Sequence, residues 1–122
     1  MQNLNQNFRV DLRERCYQFG LSIIKITDQL PNKRSAWVIA DQLIRSATSI
    51  GANITEGKAS SSRLEFKKFY EIALKSANES VYWLSLLKDA GLADPLAVDN
   101  LLRENTEICR MLAAGVIKLK KN

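Results

Sequence analysis

The chain contains no histidine. That removes the usual general base near neutral pH and the commonest metal ligand. It also rules out the Glu-x-x-His pairs on which di-metal helical bundles rely. Cysteine is scarce: Cys16 and Cys109 lie far apart, each among apolar residues at helical spacing, and lack zinc-like spacing. They read as buried free thiols. With two prolines and five glycines the chain is poor in turn residues, and 46% hydrophobic residues make it too apolar for disorder. A many-stranded sheet protein is thereby disfavoured and helix expected. No apolar run approaches the roughly 20 residues of a membrane span. The opening "MQNLNQNFRV" lacks the basic start and apolar run of a signal peptide. A cytoplasmic, reduced setting away from membranes is the expectation.

What is present fits one domain, residues 1–122, able to bury about two-thirds of the surface its unfolded chain exposes. Eighteen Lys and Arg against thirteen Asp and Glu leave a net charge of +5. This favours phosphate or acidic partners, and in an oligomer the charge multiplies.

Apolar spacing predicts four helices. Leu12, Cys16, Phe19, Ile23, Ile26 and Leu30 form one stripe of a first helix over about 8–30, after a few disordered residues and before Pro31 and Asn32. A second, about 33–57, carries Ala40, Leu43, Ala47, Ile50 and Ile54, with Asn32 or Ser35 as its cap and Gly57 as a left-handed end. Ser62 and Glu65 make a capping box for a third, about 62–90, which runs to Gly91 with Phe66, Phe69, Ala73, Ala77, Leu84 and Leu87 inward. Its second flank, Tyr70, Leu74, Val81 and Tyr82, predicts contacts beyond a single core. Asp94 as a capping acid before Pro95 starts a fourth, about 94–120, carrying Val98, Leu101, Ile108, Leu112 and Leu119. Short connections make this an all-α, antiparallel up-down-up-down four-helix bundle.

A polar stripe runs beside the apolar one on the second helix. Gln42, Ser46, Ser49, Asn53 and Glu56 recur at intervals of four and three, and Ser76 and Glu79 stand among Ile72, Trp83 and Leu86 on the third helix. A hairpin turning near residue 60 sets Ser46 level with Ser76, and Gln42 or Arg45 level with Glu79, where Arg45 supplies the charge a half-buried carboxylate needs. Glu56 and Glu79 then sit several turns apart. No catalytic site, metal site or cofactor is expected from them; the stripe reads as a buried or interfacial polar network that specifies register and partner.

The segment "KASSSRLEFKK" offers Lys58, Arg63, Lys67 and Lys68 around a helix start, and "IKLKKN" offers Lys118, Lys120 and Lys121. Basic side chains and helix N-termini both suit phosphate. The same lysines also suit a helix C-terminus or a solvated face. Trp37 and Trp83 fit stacking on bases, or packing between helices.

The order Gln42, Arg45, Ser49, Asn53, Ile54, Glu56, Gly57, then Phe66, Phe69, Ala73, Ser76 and Glu79, with Pro31 before them, resembles the bacterial four-helix proteins called S23 ribosomal or intervening-sequence proteins. The resemblance covers about residues 8–120. Lys75, where many relatives carry glycine, and Thr55, where alanine is usual, depart from the pattern. The resemblance implies a homopentamer of bundles with a central channel and no enzymatic activity. It further implies an RNA-related setting, and, by analogy with accessory proteins of diversity-generating retroelements, a reverse transcriptase as protein partner.

Overall fold

The computed structural model describes residues 11–121. Four helices occupy nearly all of them: α1 Asp11–Asp28, α2 Arg34–Lys58, α3 Arg63–Asp89 and α4 Pro95–Lys120. The expected start of α1 at residue 8, and the disorder before it, lie outside the described residues. Contacts run α1 to α2, α2 to α3, α3 to α4 and α4 back to α1. That closed ring of neighbours is an antiparallel four-helix bundle, with α2 against α3 the most extensive seam and α1 against α4 the slightest.

The core follows the predicted stripes. Phe19 and Ile23 of α1, Leu43, Ile50 and Ile54 of α2, Leu84 and Leu87 of α3, and Ile108 and Leu112 of α4 are buried almost completely. Each such side chain stabilises the fold by about 1.5 to 3 kcal/mol relative to exposure. Positions shift along the stripes: on α2 Ala36 rather than Ala40 is fully buried. On α3 the buried row passes through Ser80 between Ala77 and Leu84, while Phe66 and Phe69 stay half-buried; on α4 it ends on Val116 rather than Leu119.

The helix ends correct several expectations. Neither Asn32 nor Ser35 caps α2: Lys33 holds the cap position without a side-chain bond. Asp94 holds the cap position of α4 and Pro95 its first turn, yet the carboxylate makes no capping bond, and only the Asp94 carbonyl accepts, from Val98 N–H. Ser62 does cap α3, accepting from Glu65 N–H at 3.1 Å. The return bond of the box goes to Ser61 N–H at 3.4 Å instead of to the cap residue. Gly57 is not a left-handed end. It lies inside α2, where a Cβ would come within 3.1 Å of Phe69 Cβ, so its role is close approach of α3. The left-handed position falls at Gly91, with φ of 69°, which closes α3.

Candidate nucleic-acid interface and polar seam

The α2–α3 seam holds a relay of hydroxyls. Ser46 Oγ and Ser80 Oγ meet at 2.8 Å in the core, and Ser76 Oγ donates to Ser49 Oγ at 3.0 Å one turn along. Asn53 Nδ2 donates to the Ser49 carbonyl and hydroxyl at 2.8 and 2.9 Å. Ser46 also reaches the Leu43 carbonyl at 3.2 Å and Ser80 the Ser76 carbonyl at 2.9 Å. Each hydroxyl has one proton, so whichever donates across the seam weakens its own backbone bond.

The pairing is one helical turn away from the one expected. Ser46 faces Ser80, and Ser76 faces Ser49. The cause is the turn: Ala59 N–H still bonds to Thr55 and Glu56 carbonyls, and Ser60 N–H to Gly57. Helical rise therefore persists past Lys58, which moves the apex of the hairpin beyond residue 60. The expected partnership of Arg45 or Gln42 with Glu79 does not form. Arg45, Glu56 and Glu79 are exposed, and Glu79 instead accepts from Trp83 Nε1 at 2.9 Å. Gln42 is half-buried. Trp83 is thus engaged along α3, while Trp37 stands 59% exposed on α2. Thr55 is accommodated by a bond from its hydroxyl to the Gly51 carbonyl at 2.9 Å, and Lys75 points to solvent.

The antiparallel topology brings the two basic segments to one end of the bundle. There α2 ends at Lys58, α3 begins with Arg63, Lys67 and Lys68, and α4 ends with Lys118, Lys120 and Lys121. All are exposed except Lys67, which is half-buried. They do not all face one way. Lys68 lies toward α2, in a cleft of about 420 Å³ shared with Glu56, Glu65, Ser60, Phe69 and Ile72, where two carboxylates offset its charge. Arg63 turns the other way, toward the end of α4, and donates to the carbonyls of Lys118 at 3.0 Å and Lys121 at 2.7 Å, with a longer bond to Leu119 at 3.4 Å. At the opposite end, Lys25, Lys33, Arg34, Lys88 and Arg103 are balanced by Asp28, Asp41, Asp89, Asp94 and Asp99. The end where α2 meets α3 also holds Asp11, Glu14, Glu56 and Glu65, yet it keeps an excess of positive charge.

Several features carry no clear sequence signal. Arg15 grips Glu104 with both ends of its fork, at 2.7 and 3.0 Å, and ties α1 to α4 where their packing is slightest. The hydrogen bond that the guanidinium donates to Glu104 holds its pKa above the ordinary value. Asn105 is fully buried: its Nδ2 donates to the Ala77 carbonyl at 3.0 Å, while Oδ1 finds no donor among the described residues. Tyr17, Leu21 and Ile24 of α1 are exposed along a groove of about 840 Å³ floored by Gly51, Ala52 and Thr55 of α2. Gly51 faces α1 there, where a Cβ would meet Cys16 Cβ at 3.4 Å. Burial pushes the Cys16 thiol up to about 12, and it outweighs the opposing charge of Arg15. Cys109 is half-buried and shifted the same way, chiefly by burial. Among the described residues no group of three or more Cys, Asp and Glu is gathered to hold a metal ion, and no helix is long and apolar enough to cross a membrane.

Comparison with known proteins gives a consistent result. A crystal structure of a protein of unknown function from the S23 ribosomal protein family of Bacteroides thetaiotaomicron VPI-5482 is similar to the chain at 33% identity and a TM-score of 0.81. The similarity covers 86% of this chain and 97% of that one. No curated protein matches. The family model for the 23S rRNA-intervening sequence protein matches residues 9–114. With that span covering most of a four-helix bundle, the chain belongs to the 23S rRNA-intervening sequence protein family.

Proposed function

We propose that the chain is a non-enzymatic, homopentameric helical protein of the cytoplasm that binds structured RNA through the basic end of its bundle. The observation that carries this reading is the convergence of Lys58, Arg63, Lys67, Lys118, Lys120 and Lys121 at one end, against a charge-balanced opposite end. The RNA-related name of the family supports the choice of nucleic acid. No base-reading motif is present, so binding rests on phosphate contacts and RNA shape and falls steeply with salt.

Self-assembly is supported by apolar surface on two different sides. One is the α1–α2 groove with Tyr17, Leu21 and Ile24; the other is on α2 and α3, where Val38, Ile72 and Tyr82 are exposed and Tyr82 packs edge-on against Trp83. Patches of this kind mark interaction surfaces, and unlike faces that meet head to tail form a ring where the rotation between copies closes and a filament where it does not. In such a ring the exposed Glu79 carboxylate, held by the half-buried Trp83, belongs to the contact between copies. The test is absolute mass by light scattering, with and without a structured RNA, at low and physiological salt. A five-chain particle that takes up RNA supports the proposal; a particle that ignores RNA at both salts defeats its RNA half, and a monomer defeats its assembly half.

A second reading, a protein-interaction scaffold or accessory factor for a reverse transcriptase, is favoured by the α1–α2 groove, whose exposed lining is more apolar than phosphate contact requires. Genes beside this one discriminate. A neighbouring reverse transcriptase with a variable-repeat array supports the accessory role, whereas a frame inside a ribosomal RNA gene supports the RNA role.

A further inference from the structure

Arg63 belongs to the basic end, yet two of its three guanidinium nitrogens are already committed. Its Nη2 donates to the carbonyls of Lys118 and Lys121, and its Nε reaches that of Leu119. The carbonyls of Lys118 and Leu119 lie in the last turn of α4 and that of Lys121 just beyond it, where carbonyls run short of helical N–H donors and carry partial negative charge. Among the described residues only Lys118 of the three has a backbone donor, Lys121 N–H at 3.3 Å. Three lysines, Lys118, Lys120 and Lys121, crowd the same turn, and their mutual repulsion favours fraying. A planar fork that engages several carbonyls at once opposes that fraying. A lysine in the same place presents a single ammonium and cannot reproduce the geometry.

We infer that Arg63 serves RNA binding as a positioning residue: by capping the C-terminus of α4 it holds Lys118, Lys120 and Lys121 beside the start of α3, so that two basic segments some 55 residues apart act as one surface. The inference rests on the RNA-binding reading above. It assigns phosphate contact to the three lysines and denies it to the guanidinium atoms that face the α4 carbonyls. It also accounts for a basic residue being spent at the first position of α3, where the helix dipole alone favours an acid.

The experiment uses the full chain and a fluorescent RNA stem-loop. Four proteins are compared: wild type, Arg63→Lys, a triple variant with Lys118→Gln, Lys120→Gln and Lys121→Gln, and the combination of all four substitutions. Arg63→Lys keeps the charge and removes the fork. We expect it to weaken stem-loop binding about tenfold and to flatten the logarithmic salt dependence by about 2, because loosened lysines no longer displace counterions. Hydrogen exchange at the amides of residues 117–121 should quicken in the same protein, and the substitution should add nothing once the three lysines are gone. Wild-type affinity in Arg63→Lys overturns the positioning role, and so does an equal loss in both backgrounds, which marks a direct contact. A wild-type chain that ignores the stem-loop overturns the RNA reading itself, and the positioning role with it.

Discussion

Cys16 shows how far burial governs a single group. Its thiol lies 2% exposed between α1 and α2, and its pKa moves from 9.0 to about 12, first through desolvation and second through the Glu104 carboxylate. A proton held more tightly in the folded than in the unfolded chain makes stability complete below 9.0 and lost as pH rises toward 12. Cys109 and Tyr70 shift in the same direction, each mainly by burial. Urea unfolding followed at neutral pH and near pH 10.5 should therefore give a clearly lower midpoint in alkali, with Cys16 costing at most about 1.4 kcal/mol per pH unit. Cys16→Ala should reduce that slope; an unchanged slope would place the alkaline sensitivity elsewhere. The inert thiol was legible from apolar spacing around Cys16, whereas the exposed setting of Glu79 was not, because spacing alone does not say which side of a stripe meets water.

Between elements, Asn105 sets the register of α4 on α3. One end of its amide is bonded to the Ala77 carbonyl, and the other lacks a donor among the described residues, in a row otherwise made of Val98, Ile108 and Leu112. An unpaired buried carbonyl oxygen costs about 1 to 3 kcal/mol, while the bonded end discriminates one register from its neighbours. Asn105→Leu should accordingly raise stability by about 1 to 2 kcal/mol, seen as a thermal midpoint higher by roughly 4 to 8 °C, and widen the range of conformations visible by NMR. A lower midpoint would show that the amide stabilises the fold outright. The apolar period of α4 was readable with Asn105 passed over, since a lone polar residue inside a stripe looks the same whether it faces the core or the flank. The one-turn displacement of Ser46 onto Ser80 was likewise hidden, because it depends on helical bonding that continues through Ser60.

At the level of the whole molecule, charge is polar along the bundle axis. Charge reversal at Lys118, Lys120 and Lys121 to Glu should abolish retention of structured RNA at physiological salt. Lys33→Glu with Arg34→Glu, at the balanced end, should leave affinity within about twofold, since exposed charges more than a Debye length away are largely screened. Equal losses from both variants would mean that total charge, not its placement, governs binding.

Helix number, the four apolar stripes, the capping serine of α3 and membership of the bundle class followed from residue spacing, because a 3.6-residue period and the stereochemistry of serine, proline and glycine act over one or two turns. Which polar groups meet, which lysines share an end, and that Arg63 caps another helix were decided by the tertiary structure. These depend on the axial offset between antiparallel helices and on the rotation of each about its own axis. Both are settled only when close approaches such as Gly57 against Phe69 and the hydroxyl pairs across the seam are satisfied together.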